Sequence, residues 1–196
     1  MINYESFKFR RNKNHTLLLI TAVFFMSFGA QAQTNSKTQE EVHFQHSLAL
    51  VISHTQINEG KDENGNKQWL SLPSWGINYN YRLTERCLVG LHTDIVAEDF
   101  VVESQSRSNE FIERFYPVAS AIVGSYKLDS FHIMFGPGVE FAKEENFFLV
   151  RAGVEYNLKI NINYELLANI KNEFKFNAYN SWAIGLGIAR IFNYKK

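Results

Sequence analysis

Val42-His43-Phe44-Gln45-His46-Ser47-Leu48-Ala49-Leu50-Val51-Ile52-Ser53 reads with a period of two. Val42, Phe44, Leu48, Leu50 and Ile52 fall on one side; His43, Gln45, Ser47, Ala49 and Ser53 fall on the other. Successive side chains of a strand point to opposite faces, so alternation over this length specifies a strand with one apolar and one polar face.

The pattern returns along the rest of the chain. Trp75, Ile77, Tyr79, Tyr81 and Leu83 oppose Ser74, Gly76, Asn78, Asn80 and Arg82. Val89, Leu91 and Ile95 oppose Gly90, His92 and Asp94. A run near Phe115 to Leu128 is less regular: Val118, Ile122, Tyr126 and Leu128 share a face, and Ala119, Ala121 and Val123 make the other face apolar too. Phe131, Ile133, Phe135, Val139 and Phe141 then oppose His132, Gly136, Gly138 and Glu140, while Phe148, Val150, Ala152, Val154 and Tyr156 oppose Arg151, Gly153 and Glu155. Ile162, Tyr164, Leu166, Ala168 and Ile170 face away from Asn161, Asn163, Glu165, Asn169 and Lys171. Trp182, Ile184, Leu186 and Ile188 close the series against Ala183, Gly185, Gly187 and Ala189. That makes about eight strands, each near the ~9–11 residues a tilted transmembrane strand needs.

The connections alternate in length. Asn58 to Gln68, about Glu98 to Glu110, and Asn172 to Ser181 read as longer polar loops, and Lys143 to Asn146 as a short, highly charged one. Thr84 to Arg86, Lys127 to Ser130 and Asn157 to Lys159 read as tight turns. Short turns at one end and longer loops at the other is the arrangement of bacterial transmembrane barrels. With the tight turns at the periplasmic end, Trp75, Tyr116, Phe141, Phe148, Phe174 and Trp182 fall near an outer rim. Tyr81, Tyr126, Phe131, Tyr156, Tyr164, Phe192 and Tyr194 fall near an inner rim. Two such levels are what aromatic girdles at the membrane–water interfaces require.

The opposite faces carry Arg82, His92, Asp94, Glu140, Arg151, Glu155, Glu165 and Lys171. The lumen of a barrel of about eight strands is just wide enough to be filled by side chains. These residues are therefore expected to form a packed polar lumen, with small Gly and Ala beside them. Gly136-Pro137-Gly138 reads as a bend in a strand.

Upstream, Lys8, Arg10, Arg11 and Lys13 precede an apolar run from Leu17 to Phe28, followed by Ala30-Gln31-Ala32. This is the pattern of a cleavable signal peptide over 1–32, cut between Ala32 and Gln33 and implying export through the Sec pathway. The run is short for a membrane-anchoring helix, which needs about 20 apolar residues. Residues 33–41 form a polar leader, and the barrel domain takes 42–196. The precursor has a formal net charge of +0; losing four basic residues and Glu5 with the signal leaves −3. No basic field points to nucleic acid. Cys87 is the single cysteine, so neither an internal disulfide nor a cysteine metal cluster can form.

His92 and Asp94 share a face, and Ser47 or Ser120 could approach them to make a hydrolytic set; nothing in the spacing fixes that geometry. His43 faces away from His46 and His54, so one strand cannot bring the three to a metal. Gly185-x-Gly187 lies mid-strand with no helix after it, and so is no phosphate loop. Asn58 to Lys67 has acidic residues without the ligand register of a calcium loop. No catalytic residue, cofactor or metal is expected.

Phe135-Gly136-Pro137-Gly138-Val139-Glu140-Phe141, Phe148 to Tyr156, and Trp182 to Phe192 resemble the C-terminal half of small outer-membrane β-barrel-domain proteins, porin-like barrels of the OmpX type. The last strand is also similar to the C-terminal signal read by barrel-insertion machinery, departing from it at Arg190 and in the Asn193–Lys196 tail. The resemblance implies an all-β, antiparallel up-and-down transmembrane barrel in the outer membrane of a Gram-negative bacterium. Its implied partners are outer-membrane lipids, the insertion machinery, and an exterior ligand or protein met through the loops. The expected role is structural or interactive. The competing readings are a narrow passage for small solutes or lipids, a soluble periplasmic barrel of the lipocalin type, and a lipid-modifying enzyme.

Overall fold

A computed structural model describes residues 45–61, 66–103 and 111–193. The signal sequence, with Ala30, Ala32 and Gln33, the polar leader, Val42 to Phe44 and Tyr194 lie outside the described residues.

Ten strands follow one another in the chain: β1 (Gln45–Lys61), β2 (Lys67–Arg82), β3 (Cys87–Val96), β4 (Phe100–Glu103), β5 (Phe111–Arg114), β6 (Val118–Leu128), β7 (Phe131–Phe141), β8 (Phe147–Lys159), β9 (Tyr164–Lys175) and β10 (Asn180–Asn193). Eight of them form the barrel wall in the order β1-β2-β3-β6-β7-β8-β9-β10, each antiparallel to the next. The wall closes where β10 pairs with β1, from Gln45↔Asn193 to Ile57↔Ser181. Closure leaves the wall without a free edge.

The alternation read from the sequence sets which side of the wall each residue takes. Leu48, Leu50 and Ile52 are exposed on the outside of β1, while Ala49, Val51 and Ser53 are buried inside. The same inversion holds around the barrel: Ile77, Leu91, Ile122, Phe135, Ile170, Ile184 and Leu186 are exposed, while Asn78, His92, Asp94, Glu140, Arg151, Glu155 and Lys171 are buried.

Local chemistry turns the chain at the end where β1 begins and β10 ends. Thr84 Oγ1 accepts from the backbone N–H of Cys87 at 2.9 Å. Asn161 Oδ1 accepts from the N–H groups of Asn163 and Tyr164 at 2.8 and 3.0 Å. Asp129 takes φ 54° in the two-residue β6–β7 turn, a conformation that Asp tolerates better than most residues.

Gly136-Pro137-Gly138 is where the wall is most crowded. The β6–β7 ladder pairs Ala121 with Gly138 and resumes at Gly124 with Phe135, leaving the positions between unpaired. Pro137 brings no N–H to that ladder. A Cβ on Gly136 would lie 1.9 Å from the carbonyl oxygen of Ile122, so only glycine allows the two strands to approach there.

Several expected connections are corrected. Asn58 to Gln68 is mostly strand, since β1 runs to Lys61 and β2 starts at Lys67. Asn157 to Lys159 belongs to β8, and the turn is at 160–163. Asn172 to Ser181 is not a long loop: β9 continues to Lys175, β10 begins at Asn180, and Asn177 turns the chain with φ 61°. The run expected from Phe115 starts at Val118, and Tyr116 takes φ 42° before it. The region expected as a loop from Glu98 to Glu110 contains β4, which pairs with β5 and touches β1 at Gly60↔Val102. Polar residues such as Asn157, Lys159, Asn172 and Glu173 keep their backbone pairing and so extend the ladder.

Candidate functional site

The hairpin of β4 and β5 folds over the end of the barrel opposite the termini. Its inward residues, Phe100, Val102 and Ile112, join Ile57, Leu72, Phe147, Ala178 and Tyr179 in an apolar cap. The Phe100 and Tyr179 rings meet edge to face at 5.7 Å.

Beneath the cap lies a charged network. Arg114 Nη2 donates to Glu140 Oε1 at 2.5 Å and its Nη1 to the Glu145 carbonyl at 2.5 Å. The same guanidinium lies 4.6 Å over the Phe147 ring. Tyr179 OH is 2.8 Å from each oxygen of Glu140. Lys175 Nζ reaches Glu140 at 3.4 Å, Glu173 at 2.9 Å and Ser181 Oγ at 2.7 Å. Arg151 Nε donates to Glu173 at 3.0 Å, and its Nη1 to the carbonyl of His92 at 3.0 Å. Arg151 Nη2 also pairs with Asp94 at 2.8 Å, and Lys171 pairs with the other oxygen of Asp94. Four cations thus share three carboxylates inside the wall. Each charge has an opposite neighbour, as burial demands. The void left among these side chains is about 20 Å3, room for about one water.

The structure brings Asp94, Glu140, Arg151 and Lys171 into one network. His92 is buried beside it, its Nε2 donating to Asn80 Oδ1 at 2.8 Å. Glu155 is buried nearer the termini and accepts from Asn157 Nδ2 at 3.0 Å. Arg82 and Glu165 are half-buried and line an open cavity at that end. Sequence reasoning missed Arg114, Glu173, Lys175 and Tyr179. Counting the inward positions of β9 in twos from Asn169 through Lys171 would have reached Glu173 and Lys175; Arg114 and Tyr179 are positioned by the hairpin and a turn.

The lumen has an open end where β1 begins and β10 ends. There a cavity of about 520 Å3 is bounded by Arg82, Lys127 and Lys159 together with apolar residues of β9 and β10.

The expected rim aromatics stand on the outside. Trp75, Tyr116, Tyr126, Phe131, Phe141, Phe148, Tyr156, Tyr164, Trp182 and Phe192 are exposed, and Tyr81 is half-buried against His46 at 4.9 Å between ring centroids. On the turn after β2, a hydrogen bond donated by Arg86 Nη1 to Tyr126 OH (3.4 Å) holds the guanidinium pKa above its ordinary value.

Ser120 is not brought to His92. Ser120 hydrogen-bonds Thr93 at 2.9 Å, on the face opposite His92, and Asp94 is engaged by Arg151 and Lys171. His46 hydrogen-bonds Tyr79 OH at 2.5 Å and His54 is exposed. His43 is outside the described residues, among which no metal-ligand cluster occurs.

No family model and no curated protein matches the chain. Among solved structures it is similar to the attachment invasion locus protein Ail of Yersinia pestis, with 9% identity and a TM-score of 0.48 over 76% of this chain and 99% of that one. It is also similar to the N-terminal β-barrel domain of Pseudomonas aeruginosa OprF (12%, TM-score 0.45, 76% and 99%). A third is Neisserial surface protein A (12%, TM-score 0.41, 74% and 96%).

Proposed function

We propose that this chain is an outer-membrane barrel of a Gram-negative bacterium, sealed toward the exterior, whose role is to present its exterior loops. The observation that carries the reading is the inversion of polarity across the wall. Leu50, Ile122, Phe135, Ile184 and Leu186 are 59–68% exposed, while Arg151 and Arg114 are wholly buried. In water such an exterior would be an aggregating patch. In lipid it is the required surface, and the closed ladder satisfies the backbone where no water can.

The alternatives fare less well on particular residues. Conduction is opposed by the cap and by the filled network under it. A lipocalin-type carrier would turn its apolar residues inward, the reverse of β1. A lipid-modifying enzyme would need a nucleophile beside His92, and Ser120 lies on the other face. Lipids are the partner that fits the belt; the hairpin and the β7–β8 loop are the surfaces offered to an exterior ligand or protein.

Labelling of intact cells tests placement and orientation together. In a Cys87→Ser background, a membrane-impermeant maleimide should modify Asn146→Cys on whole cells, and Glu85→Cys only after the envelope is broken. Equal labelling of both on intact cells, or of neither, would contradict the reading.

A further inference from the structure

The cavity at the terminal end has two unlike walls. On one side Arg82 closes β2 and Lys127 lies near the end of β6, separated around the wall only by β3. On the other, Leu167 of β9 and Ala189 and Ile191 of β10 give an apolar surface. Lys127 lies in the field of Arg82 and Lys159, like charges that repel it, and of the more weakly acting carboxylates Glu165 and Asp129.

Among the described residues, neither Arg82, Lys127 nor Lys159 forms a salt bridge, in contrast to every cation of the network under the cap. Arg82 Nε is buried with no hydrogen-bond partner among the described residues. Three carboxylates also border the cavity. Glu155 is taken up by Asn157 and lies 3.8 Å from His132, Asp129 sits on the exposed β6–β7 turn, and Glu165 is on β9. None of them is within 4.0 Å of the cations of the first wall. Clustered cations left unpaired in a confined space gain most from an anion, and guanidinium and ammonium groups together suit phosphate. A volume of about 520 Å3 lies within the range of small-molecule sites, roughly 300–1,000 Å3.

We propose that this cavity binds a small amphiphilic organic phosphate, its anionic head on Arg82 and Lys127 and its apolar part on Leu167, Ala189 and Ile191. The inference does not rest on the membrane reading, since the cavity and its walls are the same wherever the barrel resides.

The test is calorimetric titration of the mature chain, folded in a non-ionic detergent, with inorganic phosphate and with monobutyl phosphate. Both should bind, monobutyl phosphate about tenfold more tightly because its chain leaves water. Arg82→Gln with Lys127→Gln should weaken both at least about tenfold, as loss of charged hydrogen bonds does. Lys143→Gln, in a loop at the other end, should change neither. If the double variant fails to fold, by its mobility on unboiled gels, Lys127→Gln alone serves, and unchanged affinity in it overturns the proposal. So does absence of binding of both probes, or equal affinity for the two.

Discussion

Arg151 of β8 pairs with Asp94 of β3 across the lumen, Nη2 to Oδ2 at 2.8 Å, although β6 and β7 stand between those strands in the wall. The same guanidinium binds its ladder neighbour Glu173 of β9. One side chain therefore ties opposite sides of the barrel and fills the section of lumen between them.

Replacing that guanidinium by an apolar group of similar length leaves Asp94 and Glu173 with less compensation in a dry interior. Arg151→Met should destabilise the barrel by about 3–5 kcal/mol, the usual cost of breaking a buried pair from one side. Urea unfolding in lipid vesicles measures it. Adding Glu173→Gln should cost less than the sum of the two single changes, because the residues share one network.

The belt gives a prediction of opposite dependence on solvent. Leu50 is 59% exposed on the outer face of β1. Leu50→Arg should cost about 2–4 kcal/mol of folding free energy in vesicles if it sits near the bilayer midplane, and Phe192→Arg, at the rim, about 0–1 kcal/mol. Equal, small effects in both would speak for a wall facing water.

Gly136 tests the crowding between β6 and β7. Gly136→Ala places a methyl group 1.9 Å from the Ile122 carbonyl and should destabilise by about 1–3 kcal/mol through overpacking. The midpoint of the heat-induced shift on gels is the readout. Gly124→Ala, where a Cβ meets nothing closer than 3.9 Å, should leave that midpoint nearly unchanged.

The cap should fail separately from the wall. Val102 is fully buried in it. Val102→Asp places a carboxylate among apolar side chains, which the hairpin can relieve by opening. Proteinase K should then cut between 100 and 114 while the remaining strands resist; loss of the whole barrel to the protease would show that cap and wall fold as one unit.

The wall was legible in the sequence because a strand has a fixed period and lipid on one side keeps that face apolar; the runs from Leu48 to Ile52 and from Trp182 to Ile188 are enough to show it. The far ends of β1, β2 and β9 were not. In β9 the polar Asn172 interrupts the outer row before Phe174, so Glu173 and Lys175 read as a loop although they continue the inner row from Lys171. The β4–β5 hairpin was hidden for a related reason: each strand has four residues, too few to show a period. Of the lumen, Asp94, Glu140, Arg151 and Lys171 could be named from alternation alone. Their partners Arg114 and Tyr179 come from segments whose position only the tertiary fold supplies.

The most direct measurement of the central claim is an unboiled-versus-boiled denaturing gel on outer membranes washed with alkali. The protein should stay with the membranes and migrate differently before and after boiling, as a closed barrel that detergent alone does not open. Protein recovered in the soluble periplasm, with one mobility under both conditions, would contradict it.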